Sequence, residues 1–214
     1  MKKTLILLSV TAIFLTSCVS NPEGDKAQTT DATEVSAAAT EGNTLVIDSA
    51  SSEVKWHGKK VSGEHYGEVD ITTGTLTVSQ EGKLIGGNFA IDLNSIDVQD
   101  MEAGEFRDKL TGHLKSDDFF DVANHPAATF EITEVKEGAT GNDQTISGNL
   151  TIRGITKNIT FEAKTTELTS ESIVADADFN IAREDWGVSY QGKADDFISK
   201  EINFKIKLVA KKQA

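Results

Sequence analysis

Residues that could carry chemistry are few and scattered in this sequence. The four histidines are His57, His65, His113 and His125. No two of them have the helical or ribbon spacing of a metal site, so they read as surface or packed residues and no metal is expected. Carboxylates come as adjacent doublets, Asp117-Asp118, Glu184-Asp185 and Asp195-Asp196. Neighbours on a strand point to opposite faces, so such a doublet cannot act as a catalytic pair and reads as a solvated face. There is no Gly-x-Ser-x-Gly, phosphate-binding loop or dinucleotide fingerprint, and no nucleophile is placed beside a base. The expectation is a protein without catalytic residues. Arg183 follows Phe179 and Ile181 with the same parity, so it points inward near one end of its strand. A buried guanidinium requires an anion or several acceptors. Two readings stay open: Arg183 meets the head of an anionic ligand, or it fixes a loop by pairing with Asp118, Glu184 or Asp185. His113 is the other polar candidate for either role.

The one cysteine, Cys18, has a defined context. Met1-Lys2-Lys3 is a charged start, Leu5 to Leu15 is an apolar run, and Thr16-Ser17 are small residues before the thiol. The run is too short to span a bilayer and has the layout of an export signal. Leu15-Thr16-Ser17-Cys18 resembles the lipobox of bacterial lipoproteins. That resemblance implies a signal peptide over 1–17, cleavage after Ser17, and fatty acyl chains such as palmitate on Cys18. Two or three chains give stable anchoring in a membrane. The residue after the cysteine is Val19, not an acidic residue, which favours the outer membrane of the cell envelope over the inner. With a formal net charge of −13, the chain is not expected to bind nucleic acid or to be drawn to anionic lipid heads.

Two kinds of sequence follow the cysteine. Residues 18–43 are Ser, Thr, Ala, Asp, Glu and Gly with almost no large apolar groups, a composition that predicts a flexible tether. From 44 to 214 short runs alternate apolar and polar residues between Gly, Asn and Asp turns. A period of two with one dry face predicts antiparallel strands. About eight are expected, near 52–60, 66–79, 83–97, 127–137, 144–153, 156–168, 172–183 and 200–212. The fold class is therefore all-β, an eight-stranded antiparallel barrel, since closure removes exposed edges. Residues 98–121, with Met101, Phe106, Leu110, Leu114, Phe119 and Phe120 at partly helical spacing, predict a short helical and loop segment over one end.

The inward residues define a candidate cavity. They are Phe89, Ile91 and Leu93 on one strand, Phe130 and Ile132 on the next, then Leu150 and Ile152. Ile159 and Phe161, Phe179 and Ile181, and Phe204 and Ile206 complete the set. This lining is aliphatic and aromatic, and it selects by apolar burial.

Three stretches resemble the YceI-like family of bacterial polyisoprenoid-binding, lipocalin-like proteins. They are His113-Leu-Lys-Ser-Asp-Asp-Phe-Phe-Asp-Val122 with His125-Pro126 and Ala128-Thr129-Phe130; Gly148-Asn-Leu-Thr-Ile-Arg-Gly-Ile-Thr-Lys157; and Asn180-Ile-Ala-Arg-Glu-Asp-Trp-Gly-Val188. The resemblance runs from about Leu45 to Lys212. It implies a lipocalin-like barrel with a long apolar cavity, isoprenoid or quinone-type lipids as ligands, no cofactor and no catalytic residues. The expected function is binding, transport or sequestration of such a lipid at the envelope. The alternative is a structural or stress-related interaction lipoprotein whose barrel is packed solid. Its partners would be the membrane, through the anchor, and an isoprenoid-type lipid.

Overall fold

The computed structural model describes residues 19–35, 42–138, 140 and 143–213. The expected signal peptide, the acylation site at Cys18 and residues 36–41 of the expected tether lie outside the described residues.

Two short strands come first, β1 (Asp25–Lys26) and β2 (Gln28–Asp31). The alternating region then forms β3 (Asn43–Ile47), β4 (Glu53–Lys60), β5 (Gly63–Val78), β6 (Leu84–Val98), β7 (Ala127–Glu137), β8 (Asp143–Ile152), β9 (Ile155–Leu168), β10 (Ser172–Ala182), β11 (Gly192–Lys193) and β12 (Asp196–Lys211). A helix, α1 (Glu105–Lys115), lies between β6 and β7. β3 and β4 both pair with β12 on one side and β5 on the other, so together they fill one position of the sheet. From there the order runs through β5, β6, β7, β8, β9 and β10 back to β12, all antiparallel. The result is a closed barrel of eight strand positions.

Side-chain alternation produces this shape directly. In β8 every second residue is buried, from Gln144 to Ile152, with half-exposed residues between them. The β8–β9 connection is the two-residue loop Arg153-Gly154, with φ of 52° and 72°. Two successive positive φ values match the right-handed twist of a hairpin, and here the first is supplied by a non-glycine residue. Helix α1 buries Leu114 and is followed by Phe119 and Val122, also buried, which seats the 98–121 segment against the barrel.

The first residues after Cys18 depart from the tether expectation. Residues 21–33 lie against the barrel: β1 pairs with β10 and β2 pairs with β9. Pro22 and Ala27 are the buried residues of this segment. The composition argument holds for apolar burial but took no account of open strand edges. Unpaired backbone N–H and C=O groups on β9 and β10 accept a polar segment as readily as an apolar one.

Candidate functional site

The inward faces of β4 to β10 and β12 enclose an apolar cavity of about 120 Å³. Its lining is apolar apart from Arg183 and Glu201. Alternation puts the lining there. Phe89, Ile91 and Leu93 come from β6, Leu150 and Ile152 from β8, and Ile159 and Phe161 from β9. Leu114 of α1 with Phe119 and Phe120 covers one end.

A second cavity of about 60 Å³ lies further along the barrel, lined by Leu76, Leu84, Ile132, Ile146 and Leu208 among others. Phe89, Phe130, Phe161 and Ile206 line both cavities and therefore stand between them. The phenyl rings form a continuous belt. Phe89 and Phe130 are 5.4 Å apart between centroids, Phe130 and Phe161 5.8 Å, Phe161 and Phe179 4.2 Å and nearly parallel, and Phe179 and Phe204 6.2 Å. Gly148 on β8 makes the seat for the Phe130 ring, since a Cβ there would lie 2.2 Å from Phe130 Cζ.

Most of the cavity residues read from the sequence are brought together here. Phe130, Phe179, Phe204 and Ile206 line the larger space with those named above. Ile132 lines the smaller one, and Ile181 is buried but meets neither. The sequence reading missed Val54, Trp56, Val69, Ile96, Ile198 and Ile202. Val54 and Trp56 flank Lys55 with the same period of two, a signal present in the sequence but not followed. Trp56 Nε1–H is buried and has no acceptor among the described residues.

Arg183 is 2% exposed, in the 3-10 turn Arg183–Trp186 that follows β10. Its Nε donates to Ser199 O at 2.8 Å and its Nη1 to Val188 O at 2.6 Å. Burial pulls its pKa below the ordinary arginine value, and Glu184 acts weakly in the opposite direction. The expected pairing with Asp118, Glu184 or Asp185 is not formed among the described residues; the acceptors are main-chain carbonyls, and the residue also lines the cavity. Trp186 beside it is 1% exposed and donates from Nε1 to Leu150 O at 3.0 Å. His113 lies on α1, bonded to Asp118 Oδ2 at 3.1 Å and packed edge-on against Phe119 and Tyr190. Arg153 Nη1 donates to Asp117 O at 2.7 Å and also to Phe119 O. Arg153, Arg183 and His113 thus hold the covered end in place. Among the described residues no cluster of His, Cys, Asp and Glu could hold a metal.

A profile of the YceI-like domain matches residues 45–210. The chain belongs to the YceI-like family. Curated relatives include a UPF0312 protein of Pseudomonas aeruginosa, 49% identical over 74 residues, which is 35% of this chain and 34% of that protein. A UPF0312 protein of Yersinia enterocolitica is 39% identical over 102 residues, covering 47% of this chain and 48% of the other. The alignments thus span between a third and a half of these relatives' length. Among solved structures, Burkholderia cenocepacia BcnA superposes with a TM-score of 0.63 at 20% identity, covering 77% of this YceI-like chain and 99% of BcnA. A polyisoprenoid binding domain from Saccharophagus degradans, implicated in plant cell wall breakdown, gives 0.57 at 18% identity, covering 79% and 98%. At these identities the likeness is one of fold.

Proposed function

We propose that the protein is a lipid-anchored binding module of the bacterial cell envelope, held through acylated Cys18, that takes the apolar tail of an isoprenoid-type lipid, such as a polyprenyl or quinone chain, into its barrel. The observation that carries this reading is the predominantly aliphatic and aromatic lining of the 120 Å³ cavity. A lining of this kind recognises a ligand chiefly by apolar burial. A neighbour of the same fold is described as polyisoprenoid binding, which supports the same class. At ~0.8 kcal/mol per buried methylene, about ten carbons give ~8 kcal/mol gross, a micromolar affinity before association costs.

Volume sets a condition on this binding. Cavities of roughly 150 Å³ hold a benzene-sized guest. At rest the larger space therefore takes little more than one branched five-carbon unit, and a longer tail enters by swinging Phe130 and Phe161 aside to join the two cavities. The experiment is titration with prenyl alcohols of increasing length against wild type and Phe161→Ala, alongside native mass spectrometry of protein from cells. The expected result is co-purified lipid and an affinity gain in the variant that grows with tail length. No uptake by either form would overturn the proposal.

The same small volume favours a second reading, in which the interior is simply core and the anchored barrel meets a protein partner. In that case Phe130→Ala costs about 3–5 kcal/mol of stability, as in a filled core. In a ligand-lined space Phe130→Ala changes prenyl binding more than it changes stability.

A further inference from the structure

The barrel wall is not continuous beside the cavity. β9 and β10 pair from Leu168–Ile173 as far as Ala163–Ala177 and then part. Beyond that point Phe179 and Asn180 pair with Asp25 and Lys26, while Thr160 to Lys157 pair with Gln28 to Asp31. The segment before the barrel is thus wedged, one strand wide, between two strands that would otherwise meet. Both banks of the gap carry cavity residues: Ile159 and Phe161 on β9, Phe179 on β10 and Arg183 in the turn that follows it.

We propose that this gap is a side port through which an apolar chain reaches the cavity, and that residues 21–33 are its removable closing strand. The inference rests on the lipid-binding reading above.

What holds the strand is almost entirely polar. Asn180 Nδ2 donates to Pro22 O at 2.9 Å, and Ser199 Oγ to Asn21 Oδ1 at 2.8 Å. The Asn149 side chain brackets Thr33, accepting from its N–H at 3.0 Å and donating to its carbonyl at 2.7 Å. Lys157 pairs with Asp31 at 2.9 Å, and Lys26 with Glu201 at 3.4 Å. Water replaces each of these partners when the segment lifts, and the net worth of such bonds is small. Little apolar surface is stranded, because Pro22 and Ala27 are the segment's buried residues. Thr29 faces Ile159 in register and so shares the side of the wall that lines the cavity. Its hydroxyl is buried there without a partner, so the closed arrangement is not fully satisfied. Few buried apolar contacts and an unsatisfied group mark a region drawn from the low-stability end of a structure. The segment also precedes the family-matched region, residues 45–210. From Cys18 to Asn21 is three residues, about 10 Å of extended chain. The anchor proposed above therefore keeps the port close to the bilayer surface, where the lipid is.

Two changes outside the cavity lining act on the closing strand in opposite directions. Gln28 and Thr160 are directly opposed across an antiparallel pair, within reach of a disulfide in Gln28→Cys/Thr160→Cys. Gly24 has φ of 137°, and a Cβ there would lie 2.5 Å from Asn203 Nδ2, so Gly24→Val prevents reseating. The readout is stopped-flow transfer of a dansyl-tagged farnesyl chain from phosphatidylcholine vesicles. Uptake is expected to slow roughly tenfold in the oxidised staple, recover on reduction, and quicken about fivefold in Gly24→Val, with equilibrium affinity within about twofold throughout. Rates indifferent to the staple, with normal equilibrium uptake, overturn the port alone. Absence of equilibrium uptake by every form overturns the lipid-binding reading beneath it.

Discussion

Two single residues carry sharp expectations. Gly148 lies under the Phe130 ring, so Gly148→Ala forces the ring toward the cavity. Overpacking of this kind costs about 1–3 kcal/mol, read from urea unfolding, and prenyl affinity should fall with it because the ring takes up ligand space. Arg183 bonds two buried carbonyls, Ser199 O and Val188 O. Arg183→Ala leaves both without a donor, at about 1–3 kcal/mol for each unsatisfied group. If the arginine serves the fold and not a ligand head, the variant unfolds earlier in urea while the relative affinities for prenyl alcohol and prenyl phosphate stay as in wild type.

Among the elements, the start of β12 is tied to the β4–β5 turn through Asp196. Lys60 Nζ, the Ser62 N–H and Ser62 Oγ all reach its carboxylate at 2.9 Å. The bond from Lys60 leads in lowering its pKa from 3.8 to about 2, and Ser62 adds to it. A depressed folded value means the stabilisation is fully present above pH 3.8 and is lost as the pH falls toward 2. Thermal melts across that window should show a decline that Asp196→Asn lacks. The long elements were legible because their inward residues recur at every second position. The alternation of Phe89, Ile91 and Leu93, or of Phe204, Ile206 and Leu208, predicted both the strand and the face. Two features were not legible. The break between β3 and β4 comes from a turn in which Ser51 N–H and Ser52 Oγ bond Asp48 O, and no glycine or proline marks it. The docking of β1 and β2 depends on where β9 and β10 part, a property of the closed sheet and not of residues 25–31. The burial of Arg183 was legible but its partners were not, for a related reason: they are carbonyls, which every residue has and no sequence pattern distinguishes.

For the whole molecule, the net charge of −13 decides how the proposed anchor would behave. Among the described residues no helix is long and apolar enough to cross a membrane. An acidic chain gains nothing from anionic lipid heads, so the attachment proposed through Cys18 should resist high salt. Washing membranes in concentrated salt is expected to leave the protein bound, whereas Cys18→Ser should move it to the soluble fraction, as followed by immunoblot.

The placement of the two tryptophans has a practical consequence. Trp56 sits in the cavity wall with its indole N–H unbonded, while Trp186 is enclosed beyond it and bonded to a carbonyl. The molecule therefore carries its own optical pair. A guest in the cavity, as proposed, would alter emission from Trp56 and leave that of the enclosed Trp186 unchanged, so occupancy would be readable without any label.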